Sequence, residues 1–570
     1  MRILLLCHAF NSLTQRLFVE LNEQGHEVSV EFDVNDETSQ QAVQLFKPDL
    51  ILAPYLKRAI PDSIWKHHTC LIVHPGIMGD RGPSALDWAV MKNLEEWGVT
   101  VLQANEEMDA GDIWASVAFP MRKTTKASLY RNEITEAAVE AVNIALSHFT
   151  NQDFTPLPLR NANASGIWQS LMTQADRSID WTQDSTDSIV RKIRASDGFP
   201  GVKTQLCGRE VFVYDAHLEP GLKGKAGNVI AYNESAVCIA TSDSAVWIGH
   251  LKEKNSDHPF KLPAAQVLRQ ELASISDIDQ ITSAHYQPIR YQQIDNIGYL
   301  YFNFYNGAMS TTQCQQLREA LIVAKQQPTQ ILVLMGGEDF WSNGMHLNTI
   351  ECAESAADES WNNINAINDL ALEIIQSKNQ LIISALLGNA GAGGVFLARA
   401  ADEVWARKGI ILNPHYKDMG NLYGSEYWTY QLPRHAGEQQ VERITQSRLP
   451  MGTTEAKTVG LVDTIINTSR NDFSDAIHHR CQELLIADND LPSIQQRLEI
   501  KQKQRIEDET VKSLDDYRTA ELEKMKQNFY GFDPSYHVAR YNFVYKIPKS
   551  RTPLTIAKHR RTSDILRRVS

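Results

Sequence analysis

Two separate stretches of this chain place glycine-centred turns at the ends of predicted strands, and each is suited to handling an activated acyl group. The first comprises residues 72–76 and 108–112, which carry a histidine, a Pro-Gly pair and an Asp-Ala-Gly loop. The second comprises residues 341–345 and 387–394, which carry two glycine turns. Both lie in strand–helix patterns, so the chain must fold into separate α/β parts. Because one chain carries both, we expect the product of the first site to be the substrate of the second.

The pattern changes three times along the 570 residues, a length that suits about three domains. The predicted fold class is a multidomain α/β chain. We predict an open α/β sheet in residues 1–155, a small antiparallel β-barrel in 156–285, a second α/β domain in 286–490, and a helical extension with a basic tail in 491–570.

Residues 1–155 alternate strands and helices, which is typical of an open, mostly parallel sheet. The predicted strands are residues 2–6, 27–32, 49–53, 70–74 and 99–103. Ligands bind outside the carboxyl ends of strands in such sheets. His8, Tyr55 and His74 follow strand ends, and so does the loop of Asp109. We therefore expect these four side chains to converge.

The middle and C-terminal parts carry different patterns. Short alternating runs separated by glycine-rich turns predict the small antiparallel barrel, at residues 211–214, 229–232, 236–241 and 245–250. Strands predicted at residues 299–304, 330–335 and 381–387 then alternate with helices again. Residues 495–527 are predicted to form an exposed helix.

Composition excludes several classes of protein. The longest apolar runs, such as residues 331–335, are far shorter than the ~20 residues of a membrane span. The first apolar run stops at Cys7, so it predicts a strand rather than a signal peptide. Seven scattered cysteines without a CxxC pair indicate a reducing, cytoplasmic location and argue against a structural metal. A net charge of −13 disfavours nucleic acid as a partner.

The last thirty residues are basic, in contrast to the acidic net charge of the whole chain. Their basic residues, faced only by Asp564, are Lys546, Lys549, Arg551, Lys558, Arg560, Arg561, Arg567 and Arg568. They form either a solvated tail or a contact for a phosphorylated ligand or an acidic partner.

The first glycine-rich stretch has the residue types that acyl transfer needs. A protonated histidine can donate to a developing oxyanion, and a nearby carboxylate can set its protonation and relay protons. His74 and Asp109, about thirty-five residues apart, supply both groups. Histidine and aspartate at strand ends are also common in sites without chemistry.

Residues 1–150 resemble the folate-dependent formyltransferases, which share a His-Pro strand end and a Met-Asp-x-Gly-Asp-Ile loop. Residues 178–202 are similar to the start of the C-terminal barrel of methionyl-tRNA formyltransferase. The resemblance implies that His74 and Asp109 are catalytic. Family members carry asparagine where this chain has Ile72, and losing an oxyanion donor costs roughly 10²–10³-fold in rate. A better nucleophile than an amine, such as a thiol, would need less help.

The same resemblance implies two binding surfaces. The pterin of 10-formyltetrahydrofolate would contact Tyr55, Leu56, Arg58, Ile60 and Arg81. The acceptor, coenzyme A, would contact Ser12, Thr14, Gln15, Arg131, Ser196 and Arg540. The N-terminus of a helix at residues 11–15 suits a phosphate group. A simple Ser/Thr helix cap explains the same residues equally well.

The second stretch can form an oxyanion hole from two backbone N–H groups, although glycine turns of this kind often serve packing alone. Residues 290–470 resemble the crotonase family of enoyl-CoA hydratases and isomerases, which implies a spiral α/β domain. The resemblance further implies that the N–H groups of Met345 and Gly393 hold the thioester oxygen of a coenzyme A derivative.

Departures from that family point away from hydration. Hydratases place one glutamate just after the glycine turn and another about twenty residues later; here Phe396 takes the first place and His415 or Tyr416 the second. A phenyl ring cannot activate water and helps to exclude it. The polar candidates that could face the thioester are Tyr416, Lys417 and Glu426.

The fusion of these two parts resembles a family of hydrogenase maturation factors. The resemblance implies transfer of formyl from 10-formyltetrahydrofolate to coenzyme A, followed by decarbonylation of formyl-CoA to carbon monoxide for the Fe(CN)2CO centre of nickel–iron hydrogenase. The partners implied are these small molecules and other maturation proteins, with no metal cofactor, nucleic acid or membrane. The alternatives are a non-catalytic scaffold that binds folate and coenzyme A, and a hydrolase that releases formate from formyl-CoA.

Overall fold

The computed structural model describes residues 1–275, 278–486 and 492–561. The chain forms two compact units, one of residues 1–286 with 549–570 and one of residues 287–548. It therefore leaves the first unit and returns to it at its end. In the described ranges, no helix is both long enough and apolar enough to cross a membrane.

The first unit begins with an open sheet. Its strands are β1 (Arg2–Cys7), β2 (Glu27–Phe32), β3 (Leu50–Tyr55), β4 (Cys70–His74), β5 (Glu96–Gln103) and β6 (Ile113–Pro120). Its helices are α1 (Ser12–Glu23), α2 (Asp36–Phe46), α3 (Asp62–Trp65), α4 (Ala85–Met91), α5 (Lys126–Leu129) and α6 (Thr135–Thr150), with a π-helical turn at Tyr130–Ile134. The strand order is β2-β1-β3-β4-β5-β6, parallel from β2 to β4 and antiparallel beyond. The mostly parallel sheet is confirmed.

The order of these strands sets the position of the candidate site. The chain passes from β1 to β2 on one side and then to β3 on the other side of β1, so the sheet changes direction between β1 and β3. A crevice opens at the carboxyl ends where strand order reverses. The strand β1 is continuously apolar and buried, as a central strand covered on both faces must be.

A second, largely antiparallel sheet follows. Its elements are α7 (Thr186–Ser196), β7 (Val202–Leu206), β8 (Arg209–Glu219), β9 (Val229–Tyr232), β10 (Val237–Ala240), β11 (Ala245–Lys252), β12 (Leu262–Pro263), α8 (Ala264–Val267), α9 (Arg269–Ser274) and β13 (Asp279–Gln280). The strand order is β13-β9-β10-β11-β8-β7, with β12 on β11. In the described part of the chain no pairing joins the two ends of this sheet, so closure into a barrel stays a prediction.

The second unit alternates strands and helices. Its strands are β14 (Ile289–Ile294), β15 (Ile297–Phe302), β16 (Ile331–Gly336), β17 (Phe340–Ser342), β18 (Leu381–Leu386), β19 (Asn389–Gly391), β20 (Glu403–Arg407), β21 (Ile411–Asn413), β22 (Met451–Gly452) and β23 (Thr464–Ile466). They form two sheets, ordered β14-β15-β16-β18-β20-β23 and β17-β19-β21-β22. Alternate residues of β15 and β16 enter two different hydrophobic clusters, as the two-residue period of a strand requires.

The helices of this unit cover the sheets. They are α10 (Thr311–Lys325), α11 (Leu347–Cys352), α12 (Ala356–Ile375), α13 (Gly393–Arg399), α14 (Trp428–Ala436), α15 (Glu438–Gln446), α16 (Thr453–Thr458), α17 (Phe473–Leu485), α18 (Ile494–Val511), α19 (Leu514–Tyr530) and α20 (Ser535–Val544). The single helix predicted at residues 495–527 is two helices, because a new capping box at Ser513 starts α19. The buried side chains of α19 pack on α12 and α14.

The end of the chain covers the edge strand of the first sheet. Ile556 accepts a hydrogen bond from the Val30 N–H (3.0 Å), and Thr552 Oγ1 accepts one from the Phe32 N–H (2.8 Å). Between them on β2, the fully buried carboxylate of Glu31 accepts hydrogen bonds from Thr552, from His559 Nε2 (2.9 Å) and from Arg560 Nε (2.7 Å). Arg560 therefore serves a structural ion pair. Asp564, Arg567 and Arg568 of the predicted basic tail lie outside the described residues.

We expect His559→Ala to loosen this edge, because Glu31 would keep its charge but lose a buried donor, a cost of about 1–3 kcal/mol. Burial opposes the charge of Glu31, but the hydrogen bonds from His559, Thr552 and Arg560 outweigh burial and hold its pKa below the usual value. The stabilisation is thus present at neutral pH and lost as the pH falls through that lowered pKa.

The measurement is hydrogen exchange of the peptide that contains Val30 and Phe32. His559→Ala should speed its exchange. Lys66→Ala, which breaks an exposed ion pair with Asp62 on the same unit, should leave exchange unchanged. Equal exchange in all three proteins would contradict the structural role of this segment.

Candidate active sites

His74 ends β4 and lies between two carboxylates. Its Nε2 is 2.9 Å from Asp80 Oδ2 and its Nδ1 is 3.6 Å from Asp109 Oδ1. The imidazole and the Asp80 carboxylate are almost entirely buried, and Asp109 is largely so. The structure therefore brings together the predicted pair, His74 and Asp109, and adds a second acid.

Two local features make this arrangement possible. A Cβ atom at Gly76 would lie 2.4 Å from His74 Nε2 and 2.6 Å from Asp80 Oδ2, so only glycine lets the loop fold back onto the imidazole. Asp109 has a left-handed φ of 52°, and its Oδ2 accepts a hydrogen bond from the Gly82 N–H (3.2 Å). That bond ties the two loops together beside His74.

Sequence reasoning missed Asp80. The signal was present, because Asp80 follows His74 by six residues in the same loop. A carboxylate bonded to one ring nitrogen and a second one near the other can orient the imidazole. Ile72 precedes His74 by two residues on β4 and packs partly buried against the neighbouring apolar cluster, so it supplies no hydrogen-bond donor.

His8 and Tyr55 form a second cluster at the ends of β1 and β3. The His8 Nδ1 is 3.0 Å from Asp33 Oδ1, and the His8 and Tyr55 rings meet edge to face with centroids 6.1 Å apart. Tyr130 packs on the other side of Tyr55 and accepts a hydrogen bond from Asn11 Nδ2 (3.3 Å). Of the four predicted side chains, the structure thus pairs His8 with Tyr55 and His74 with Asp109.

The predicted coenzyme A contacts differ in exposure. Thr14 and Ser196 are fully buried, and their hydroxyls donate to Asn11 Oδ1 (3.0 Å) and Lys192 O (3.0 Å). Ser12, Gln15 and Arg131 are half-buried. The helix cap is Asn11, whose side chain accepts from the Thr14 N–H. Because their hydroxyls are buried and hydrogen-bonded within the protein, Thr14 and Ser196 are suited to a structural role rather than to contact with a ligand.

Arg540 belongs to the second unit, where its Nε donates to Glu351 Oε2 (2.7 Å). The predicted pterin contacts lie in the first unit. Tyr55 and Leu56 are half-buried, Ile60 is buried, Arg58 pairs with Asp36 (2.7 Å) and Arg81 pairs with Glu107 (2.9 Å).

The second unit brings two backbone N–H groups onto facing turns. An ideal Cβ on Gly344 would lie 3.4 Å from the Gly393 nitrogen, so the turn before Met345 faces the start of α13. Neither the Met345 nor the Gly393 N–H donates a hydrogen bond to any described residue. Two free N–H groups on facing turns suit an oxyanion hole.

A buried asparagine holds the first of these turns. Asn363 on α12 donates from Nδ2 to Met309 O (3.0 Å) and accepts from the His346 N–H at Oδ1 (3.2 Å). The Met309 N–H in turn donates to Gly344 O (2.9 Å). Because these bonds fix the residues on both sides, they also fix the direction of the Met345 N–H.

Glu426 reaches the oxyanion hole directly. A Cβ at Gly393 would lie 2.1 Å from Glu426 Oε1, so the carboxylate occupies the space that any other side chain would need. The other oxygen, Oε2, accepts hydrogen bonds from Tyr416 OH (2.6 Å) and from the Ser425 N–H (3.1 Å). Glu426 is buried, and its Oε1 accepts no hydrogen bond within the described ranges.

Phe396 packs against Tyr416. Its fully buried ring stacks on Tyr416, with ring centroids 5.3 Å apart and an interplanar angle of 16°. The structure thus brings Tyr416, Glu426, Gly393 and Phe396 together. Lys417 is half-buried, and among the described residues it forms no hydrogen bond or ion pair with Glu426. His415 is buried, and burial lowers the pKa of its imidazole, which favours the neutral form.

Burial also sets the protonation of Glu426. It raises the pKa of Glu426 to about 7, the nearby charge of Glu521 raises it too, and the hydrogen bond from Tyr416 lowers it. A carboxyl that titrates near neutral pH can both accept and return a proton. Burial raises the pKa of Tyr416 well above its usual value, so the phenol stays protonated and acts as a donor.

Three polar residues that hold Glu426 were not identified from the sequence. Asn368 Oδ1 accepts from the Glu426 N–H (2.8 Å), and Gln431 Nε2 donates to Glu426 O (2.8 Å). Glu521 on α19 accepts from Ser425, 96 residues before it in the chain. Asn368 and Glu521 are so distant in sequence that no local motif marks them and only the fold brings them to this turn, whereas Gln431 lies just five residues after Glu426.

Three family models match the chain. Formyl transferase matches residues 5–146, the formyl transferase C-terminal domain matches 171–262, and enoyl-CoA hydratase/isomerase matches 300–529. The hydrogenase maturation factor HoxX of Bradyrhizobium diazoefficiens is 53% identical over 560 residues, covering 98% of this chain and 97% of that protein.

Solved structures of HypX from Aquifex aeolicus have the same fold over their whole length. Its complex with tetrahydrofolic acid is 48% identical with a TM-score of 0.93 and covers 98% of this chain and 99% of that one. A variant of the same protein is 47% identical with a TM-score of 0.94 and covers 99% of both chains.

We expect Tyr416→Phe to raise the pKa of Glu426 above about 7, because it removes the hydrogen bond that favours the charged carboxylate. The measurement is an infrared titration of the protonated carboxyl band. Tyr536→Phe is the control, since it removes a buried hydroxyl that contacts Ser360 instead. A midpoint that stays unchanged or falls in Tyr416→Phe would contradict the assignment of this contact.

Proposed function

The chain belongs to the family of hydrogenase maturation factors that includes HoxX and HypX, and we propose that it synthesises carbon monoxide in two steps. In the first unit, a formyl group passes from 10-formyltetrahydrofolate to the thiol of coenzyme A. In the second unit, formyl-CoA is split into carbon monoxide and coenzyme A. The carbon monoxide serves the Fe(CN)2CO centre of nickel–iron hydrogenase.

The proposed chemistry of the first unit rests on His74 and its two carboxylates. When a thiol attacks the formyl carbon, its proton passes to the Asp109 carboxylate and negative charge develops on the formyl oxygen. His74 can donate to that oxygen from Nδ1, because it is Nε2 that is hydrogen-bonded to Asp80. Collapse of the adduct then expels the amine of tetrahydrofolate, which takes the proton from Asp109. Ile72 supplies no amide donor, which favours a thiol acceptor over the weaker amine nucleophile.

The family of the chain supports the two substrates of this step. The related Aquifex HypX binds tetrahydrofolic acid, and a formyl transferase model matches residues 5–146. Tyr55 and Leu56, half-buried near the β3 end, offer an apolar and aromatic surface that suits a pterin ring. Coenzyme A as acceptor is the thiol that a crotonase-like unit in the same chain is suited to bind.

The proposed second step needs one base and one polarising site. Met345 and Gly393 polarise the formyl carbonyl through their N–H groups. Glu426 takes the formyl proton, the C–S bond breaks with its electron pair on sulfur, and carbon monoxide leaves. Glu426 then returns the proton to the thiolate, which regenerates coenzyme A and the carboxylate. The atoms balance without an oxidant or reductant.

One observation carries this proposal, the position of Glu426 Oε1 at the Cβ site of Gly393. It supports a proton acceptor next to the proposed oxyanion hole. Hydrolysis is disfavoured because Phe396 is fully buried against Tyr416 and brings no group that activates water.

For the first unit, we expect His74→Ala to reduce formyl transfer by about 10²–10⁴-fold, the usual contribution of an acid–base group. Carbon monoxide from 10-formyltetrahydrofolate and coenzyme A should disappear, whereas added formyl-CoA should still be decarbonylated. Asp109→Asn and Asp80→Asn should act in the same sense. The control is Lys66→Ala, which breaks an exposed ion pair with Asp62 and touches none of the predicted site residues.

The outcomes separate the two units. Unchanged carbon monoxide output from His74→Ala would remove His74 from the mechanism. Loss of activity with added formyl-CoA as well would mean that the substitution disturbs more than the first step.

For the second unit, we expect Glu426→Gln to stop decarbonylation, so that formyl-CoA accumulates. Carbon monoxide output of the unmodified protein should rise with pH through about 7, because Glu426 accepts a proton only when ionised and its raised pKa keeps it protonated below that value. Phe396→Glu should admit and activate water and shift the product towards formate.

Carbon monoxide, formate and formyl-CoA are quantified together from a labelled formyl donor, with Val323→Glu, which adds a charge at an exposed position of α10, as the control. Undiminished carbon monoxide from Glu426→Gln would overturn the base assignment. Formate from the unmodified protein would instead support a hydrolase, and tight binding of both substrates without turnover would support a scaffold.

A further inference from the structure

Glu521 is a fully buried carboxylate beside the turn that carries Glu426. It lies on α19, and each of its oxygens accepts two hydrogen bonds. The Oε2 atom accepts from Ser425 Oγ (3.1 Å) and the Tyr427 N–H (3.0 Å). The Oε1 atom accepts from the Thr429 N–H (2.9 Å) and Thr429 Oγ1 (2.6 Å).

These four hydrogen bonds stabilise an unfavourable backbone conformation. Glu426 and Tyr427 both have left-handed φ angles, 61° and 60°, which non-glycine residues rarely adopt in succession. Asn368 and Gln431 fix the Glu426 N–H and C=O, but they do not bind the residues on either side. Glu521 does, because its donors lie at positions 425, 427 and 429.

The two carboxylates beside this turn differ in their donors. All four acceptor sites of Glu521 are filled, and two of its donors are backbone N–H groups that cannot reverse direction. Glu426 receives two hydrogen bonds, both on Oε2, and its Oε1 faces Gly393. An added proton therefore fits Glu426 and would displace a donor from Glu521.

We propose that Glu521 is a positioning residue for decarbonylation: its four hydrogen bonds hold the turn of residues 425–429 and so set the position and the proton affinity of Glu426. This inference rests on the function proposed above. Glu521 acts through Glu426 and does not contact the substrate.

Three titratable groups face Glu426 from the elements packed on it. Tyr416 donates from its loop, Glu521 lies on α19, and Cys314 lies on α10, where Glu426 helps to raise the pKa of its thiol. Tyr416 and Cys314 are neutral at physiological pH, whereas burial raises the pKa of Glu521 to about 7, as it does for Glu426. When Glu521 is ionised, its charge favours the protonated form of Glu426 and makes Glu426 a stronger base, so the two carboxyls titrate as a coupled pair.

The experiment compares Glu521→Gln with the unmodified protein in two measurements. In the infrared titration, the midpoint of Glu426 should move below about 7, by roughly one pH unit, because the neighbouring negative charge is gone. With added formyl-CoA, the rising limb of the pH–rate profile should move in the same direction. The rate at its plateau should fall roughly tenfold, because the base is weaker.

Two further variants guard against simple misfolding. Thr429→Val removes one hydroxyl donor from Glu521 and keeps the shape of the side chain. Glu521 should then ionise less readily, and the Glu426 midpoint and the pH–rate profile should shift in the same direction by a smaller amount. Glu219→Gln makes the same substitution at a buried carboxylate of the first unit that accepts from Trp247 and Ser283, and it should change neither measurement.

Each outcome decides between the two proposals. Unchanged Glu426 midpoints in Glu521→Gln and Thr429→Val would overturn the positioning role. A shifted midpoint with no carbon monoxide from the unmodified protein would keep the Glu521–Glu426 pairing but refute the proposed function. A plateau loss without any midpoint shift would reduce Glu521 to a packing residue and overturn the proposal.

Discussion

The contact between Glu426 and the N-terminus of α13 is the constraint on which the second unit depends. A carboxylate can approach this closely only because Gly393 has no side chain. It stays there because Tyr416 donates to its other oxygen, while Asn368 and Gln431 hold the backbone of Glu426. Burial makes ionisation unfavourable, so the environment that fixes the group also moves its titration to neutral pH. The same buried environment therefore sets both the position of the Glu426 carboxylate and its affinity for a proton.

In the first unit a glycine likewise makes room beside a titratable side chain, the imidazole of His74. Gly76 lets the loop after β4 fold back onto His74, so that Asp80 meets one ring nitrogen while Asp109 lies near the other. In both units a missing side chain lets an acid–base group meet its partners. Each unit also lacks a residue that its family uses, at Ile72 and at Phe396, and each replacement is apolar.

The sequence predicted the parts of these sites that local motifs carry. The His-Pro-Gly turn located His74, the glycine turns located Met345 and Gly393, and a polar segment after β21 contained Tyr416 and Glu426. Asp80 was overlooked within a known loop. Glu521 could not be found in this way, because its contacts depend on how α19 packs and its surrounding sequence resembles any charged helix. The mostly parallel sheet followed from periodicity, whereas the break between two C-terminal helices rested on a single cap at Ser513.

The hydrogen bonds from the end of the chain to β2 bear on how the protein is made. Synthesis proceeds from the N-terminus, so β2 leaves the ribosome long before residues 552–560, and Glu31 is without His559 and Arg560 until those residues have been made. An uncovered edge strand is open to pairing with other chains in that interval. The edge of the first sheet is therefore covered only after the crotonase-like unit has been synthesised, although the strands of that sheet can pair earlier.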